Sequence, residues 1–112
     1  MYNRDLPYLQ ELNVNLIRLY TWRNDVSHSA FLDACLSRGI YVIAEFVWDS
    51  NLFNSGASGQ QTMKNNLVSM VQNNNHPAII AWAVGNELNI GDKNDTNVWN
   101  FIRTLKGNQM RI

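Results

Sequence analysis

Three strand-length runs dominated by apolar residues, at 16–20, 40–47 and 79–84, constrain this chain more than any other feature. Strands that are apolar along their whole length belong to parallel sheets covered by helices. The segments between them read as those helices. Leu6, Leu9 and Leu12 share one helical face over 5–12, with Asn13 placed to cap its end. Phe31, Leu32, Cys35 and Leu36 have helical spacing behind Ser27 or Ser29 as N-cap. Gly39 stands where a helix needs a left-handed residue to stop. Met63, Leu67, Met70 and Val71 stripe a third helix over 60–73, broken by the Asn-rich turn that ends in His76-Pro77. Residues 92–96 open a fourth helix carrying Val98, Trp99, Ile102 and Leu105. Residues 48–59, rich in Ser, Asn and Gly, read as loop, and 107–112 have no pattern.

The order is therefore an α/β alternation of about three parallel strands with four helices, in units of roughly 25 to 40 residues, the length of a βα crossover. A sheet of three such strands leaves two unpaired apolar edges, a state that native proteins avoid. A (β/α)8 TIM barrel takes about 250 residues. The 112 residues are expected to form one piece of such a barrel, about three strands of eight, with no internal domain boundary. The open edges also favour self-association.

Composition narrows the function classes. Apolar residues make up 46% and charged residues 16%, which is a folded rather than a disordered balance. Formal net charge is zero, so no electrostatic footprint for nucleic acid or an anionic membrane is present. The single cysteine, Cys35, excludes an internal disulfide and reads as a buried, inert thiol within its helix. No apolar stretch reaches membrane-spanning length, and the first residues lack a signal-peptide core. The two histidines have no Cys or His partner at metal-ligand spacing and read as a helix-start and a turn residue. Gly56-Ala57-Ser58-Gly59 lacks the lysine and strand of a phosphate loop.

The third apolar run ends abruptly in Gly85-Asn86-Glu87. A carboxylate where a buried strand stops is rigidly held and still meets ligand, as proton transfer in sugar chemistry requires. Strand alternation cannot turn Asn86 and Glu87 the same way, so a bulge or irregular strand end is expected there, with Trp82 facing away under a helix. Arg18 shares a strand face with Leu16 and Tyr20, and a buried arginine needs a partner. Glu45, near the end of the second strand, is the best one in the chain, and a structural ion pair and a direct substrate contact both fit Arg18. Tyr20, Trp22 and Trp48 lie at or just past strand ends, the edge where parallel α/β sheets bind ligands.

In this order, the segment 5–20, the run Gly39-Ile40-Tyr41-Val42-Ile43-Ala44-Glu45 and Trp82-Ala83-Val84-Gly85-Asn86-Glu87 resemble strands two, three and four of the (β/α)8 glycoside hydrolases with an Asn-Glu pair ending strand four. The closest likeness is to β-1,3-glucanosyltransferases, and β-galactosidase and β-glucuronidase barrels are similar in the same places. The resemblance covers residues 5–105 and implies a retaining β-glycosidase or β-glucan transglycosidase acting on an oligo- or polysaccharide, outside the cell or at its surface, without metal or cofactor. It implies that Glu87 is the general acid/base, with its pKa raised by an apolar surround or a second carboxylate. By the same resemblance Asn86 meets the sugar 2-hydroxyl and Arg18 holds carboxylates in the barrel mouth. Retaining enzymes place a nucleophile about 5–5.5 Å from the acid/base. The resemblance puts it on strand seven, beyond this sequence, so the isolated chain is expected to be inactive. The alternative is a non-catalytic, carbohydrate-binding or self-associating half-barrel.

Overall fold

The computed structural model describes residues 2–88 and 96–106. Over these the chain runs α1 (Tyr2–Glu11), β1 (Leu16–Leu19), α2 (Ser29–Ser37), β2 (Tyr41–Glu45), α3 (Ser50–Asn54), α4 (Ala57–Asn73), β3 (Ile79–Ala83) and α5 (Thr96–Lys106). The strands form one parallel sheet in the order β1-β2-β3. This is the expected α/β alternation of a partial barrel.

Two helices end in the same device. Asn13 has φ 62°, with Val14 N–H bonded to the Leu9 carbonyl and Asn13 N–H to that of Gln10. Gly39 has φ 68°, with Ile40 bonded back to Cys35 and Gly39 to Leu36. Both are left-handed caps that satisfy the last carbonyls and turn the chain into the next strand. The N-cap of α2 is neither Ser27 nor Ser29 but His28, whose side chain makes no capping bond. Its ring stacks on Trp22 instead, with centroids 4.0 Å apart. Helix α1 begins at Tyr2 rather than Asp5, held by an edge contact of the Tyr2 ring with Phe31. Leu12, at the cap, is exposed.

The core lies on one side of the sheet. Val42 and Ala44 of β2 are fully buried, together with Ile40, Leu32, Cys35, Met63, Leu67 and Met70. Burial raises the Cys35 thiol pKa and keeps it unreactive. The opposite face, which a closed barrel fills with side chains, is open: Leu16, Tyr41 and Ile80 are 43%, 40% and 56% exposed.

The region 48–59 departs from its reading as loop. The Asp49 carboxylate accepts from Leu52 N–H and caps α3, and α4 starts at Ala57 rather than Gln60. Among the described residues the helices therefore number five. Trp48, Phe53 and Phe101 form a ring triangle with centroids 5.3–5.7 Å apart, tying α3 to α5. Phe101 takes the core place read for Trp99, which is 39% exposed. Residues 92–95, read as opening α5, lie outside the described residues, as do 107–112.

Gly59 lets α3 and α4 approach. A Cβ there would collide with the Leu52 carbonyl and come within 2.9 Å of Ser55 Cβ. Because the obstacle is backbone, Gly59→Ala is expected to lower stability by about 1–3 kcal/mol, while exposed Ser58→Ala changes little. Urea denaturation of the two variants checks this.

His76 closes the turn before β3. Its Nδ1 accepts from Ala78 N–H at 3.0 Å, and its Nε2 lies 2.7 Å from Asp33 Oδ1 on α2. The turn role read for it is what the structure shows.

Candidate active site

The carboxyl ends of the strands bring four of the expected residues together. Arg18 of β1 donates through Nη2 to Glu45 Oε2 at 2.9 Å and to Asn86 Oδ1 at 3.2 Å. Its guanidinium carbon lies 4.8 Å from the centroid of the Tyr20 ring. Glu45 is 5% exposed, and its ion-pair partner Arg18 has a side chain that is 42% exposed. A buried carboxylate without such a partner would be strongly destabilising.

The register explains why these groups meet. Arg18 pairs with Ile43, and Ile43 with Ala81, so all three share the open face. One residue of β3 is accommodated by a register shift opposite Val42 and Ile43. The extra residue is Ile80, because Val42 pairs with Ile79 and Ile43 with Ala81. This bulge reverses the alternation beyond it. Trp82 therefore pairs with Ala44 on the core side, and Ala83 stands beside Glu45.

Beyond β3 the chain leaves strand geometry. Leu88 is buried and folds back so closely that a Cβ at Gly85 would lie 2.6 Å from its Cδ1. Glu87 has φ 52°, a left-handed conformation uncommon for a residue with a side chain. Such a conformation costs of order 1–3 kcal/mol and persists only where the surroundings hold it. The expected irregular strand end is thus present, and the bulge lies six residues before Asn86, at Ile80. Glu87 is exposed and has no hydrogen-bond or ion-pair partner among the described residues.

Arg18 also fixes the Asn86 amide. Only its carbonyl oxygen can accept from a guanidinium, so both Nδ2 hydrogens are left to donate elsewhere. Tyr20, 59% exposed, offers a ring at the same edge.

Trp22 and Trp48 are not part of this cluster. Trp22 is 4% exposed, packed between His28 and the edge of Trp82. Trp48 is half-buried in the aromatic triangle. Both line a separate open cleft of about 520 Å³, built by the loop after β1, the end of β2 and helices α3 and α4. Asn24, Asn51 and Asn66 on its walls carried no sequence signal beyond being polar; only Asp49 before Leu52-Phe53 hinted at the helix that shapes it. Among the described residues no group of three or more His, Cys, Asp or Glu could hold a metal ion, and no helix is long and apolar enough to cross a membrane.

Comparison with known proteins places this geometry. The family model described as Glucanosyltransferase, glycoside hydrolase 72, matches residues 1–111. The chain is 31% identical over 101 residues to the 1,3-beta-glucanosyltransferase gas5 of Schizosaccharomyces pombe, a match covering 86% of the chain and 20% of that protein. It is 35% identical over 63 residues to the 1,3-beta-glucanosyltransferase PGA5 of Candida albicans, covering 46% of the chain and 10% of that protein. A beta-galactosidase of Vibrio cholerae is 28% identical over 99 residues, covering 79% of the chain and 9% of its own length. The chain thus spans a fifth or less of the length of these relatives. With three parallel βα units and a family match across nearly all of its residues, the chain belongs to the glucanosyltransferase family, glycoside hydrolase 72, within the (β/α)8 glycoside hydrolases.

Proposed function

We propose that this chain is the strand-two-to-four segment of the catalytic barrel of a retaining β-glucan transglycosidase, with Glu87 as its general acid/base. The observation that carries this reading is the Arg18 cation bonded to both Glu45 and Asn86, which draws the residue next to Glu87 to the carboxyl edge of the sheet. The substrate class follows from the relatives named 1,3-beta-glucanosyltransferases: a β-1,3-linked glucose polymer.

In this mechanism Glu87 gives its proton to the departing glycosidic oxygen, then takes one from the incoming hydroxyl. Asn86 donates Nδ2–H to the sugar 2-hydroxyl, a contact that strengthens as the oxocarbenium-like transition state forms. Arg18 is a positioning residue that sets the Asn86 amide and neutralises Glu45. Tyr20 supplies a stacking ring. The nucleophile is a second carboxylate from another segment of the barrel, since Glu45 is buried and engaged by Arg18.

The test is incubation of the intact protein with a β-1,3-linked glucose oligosaccharide of single length, with products sized by mass spectrometry. Products longer than the donor support transfer. Only shorter products reduce the reading to hydrolysis. Binding without any turnover overturns it in favour of a non-catalytic saccharide-binding barrel segment.

A further inference from the structure

The cleft that holds Trp22 and Trp48 is not lined by Arg18, Asn86 or Glu87. At about 520 Å³ it lies within the usual range of small-molecule sites, roughly 300–1,000 Å³. Helix α3, an addition to the βα repeat, forms one wall at the edge of the sheet where function collects in this fold class.

The lining specifies the chemistry of an occupant. No Lys, Arg or His lines the cleft, so nothing there selects an anion. Its one carboxylate, Asp49, has Oδ1 committed to the α3 cap. Three amides, Asn24, Asn51 and Asn66, line the walls, and none of their side chains bonds another described residue. Each offers donors and an acceptor, the pairing that a sugar hydroxyl needs. Trp48 adds a large ring held in place by Phe53 and Phe101, so little ordering is required on binding. An independent observation concerns Trp22. Its indole N–H is buried and is the one such side-chain donor without an acceptor among the described residues. A buried donor without a partner is destabilising, and a native site that carries one calls for an explanation.

We propose that this cleft is a second saccharide-binding subsite, taking a neutral oligosaccharide whose rings lie on Trp48 and whose hydroxyls bond Asn24, Asn51 and Asn66, with the Trp22 ring in its wall. The subsite holds glucan beside the barrel mouth while the Glu87 edge acts on another stretch or another chain. The choice of a β-1,3-linked glucan as occupant rests on the function proposed above; the site itself rests on the lining.

The test is an NMR titration of the protein with a β-1,3-linked glucose tetrasaccharide, read at the Trp22 and Trp48 indole N–H resonances. Both are expected to shift saturably. The double variant Asn24→Ala/Asn66→Ala, on exposed side chains that bond no other described residue, is expected to weaken the midpoint at least about tenfold, or about 1.4 kcal/mol. Tyr20→Ala should leave that midpoint unchanged. Indole resonances that stay still up to about 10 mM tetrasaccharide overturn the proposal, since affinity that weak leaves no useful site. A response removed by Tyr20→Ala but not by the double variant also overturns it, placing binding at the Arg18 edge and leaving the catalytic reading intact. Conversely, a saturable cleft response in a protein with no turnover upholds the subsite and sinks the catalytic reading.

Discussion

Glu87→Gln is expected to lower transglycosylation by the intact protein about 10²–10⁴-fold, the range that a positioned acid/base contributes. That corresponds to roughly 3–5 kcal/mol of barrier. Gln keeps the shape and the hydrogen-bonding reach but can neither give nor take the proton. Stability should hardly move, because Glu87 is exposed and has no partner among the described residues. Glu87→Gly makes a useful companion. The left-handed φ of 52° suits glycine, so this variant should keep or raise stability, by up to about 1 kcal/mol, while losing activity just as fully. Loss of function with gain of stability is what a residue held in strain for its chemistry produces. Denaturant midpoints and product sizing on the same preparations read both quantities. Unchanged turnover in Glu87→Gln would remove Glu87 from the mechanism.

Arg18→Met is expected to cost about 2–3 kcal/mol of stability, somewhat below the 3–5 typical of breaking a fully buried pair, because Arg18 is partly open to water. The loss comes mainly from the Glu45 carboxylate, left buried without its cation. If so, adding Glu45→Gln restores part of it, since a neutral amide is cheaper to bury than a lone charge. A double-mutant cycle by urea denaturation measures that coupling. A double variant no more stable than Arg18→Met would show that the guanidinium acts through its packing on Tyr20 rather than through its charge. Arg18→Met also frees the Asn86 amide, so turnover should fall even where the fold is kept. Arg18→Lys is a sharper probe of orientation. It keeps the charge beside Glu45 but loses the fixed guanidinium plane in which a single nitrogen, Nη2, is aimed at both acceptors.

Much of the architecture was legible from local signals. Apolar strands separated by helical stripes announce a parallel sheet, since strands apolar along their length need cover on both faces and the intervening helices supply it. Asn13 and Gly39 stop their helices where expected because left-handed geometry is a property of the residue itself. The Arg18–Glu45 pair was legible because a charge inside an apolar strand needs a partner, although it is Glu45 and not Arg18 that the fold buries.

Other features depended on contacts made far along the chain. Nothing in 48–59 distinguishes a capped five-residue helix from a polar loop until Phe53 meets Trp48 and Phe101. A helix that short is not stable by propensity, so packing decides whether it forms. His28 takes the N-cap from two better-suited serines because its ring stacks on Trp22.

The division is clearest along β3. Alternation read from the sequence alone carries Ile79, Ala81 and Ala83 on one face and sets Trp82 against them. The structure keeps Trp82 on the core side against Trp22, and Ala81 and Ala83 on the open face, but the bulge at Ile80 places Ile79 with Val42 on the core side. A bulge is settled by which side chains fit against neighbouring strands and helices, and those lie dozens of residues away. Element order, the parallel sheet, the left-handed stops and the charged pair follow from each residue's own chemistry and its near neighbours. The strand register, the separation of Tyr20 from Trp22 and Trp48, and the cleft that the two tryptophans line depend instead on which distant surfaces meet.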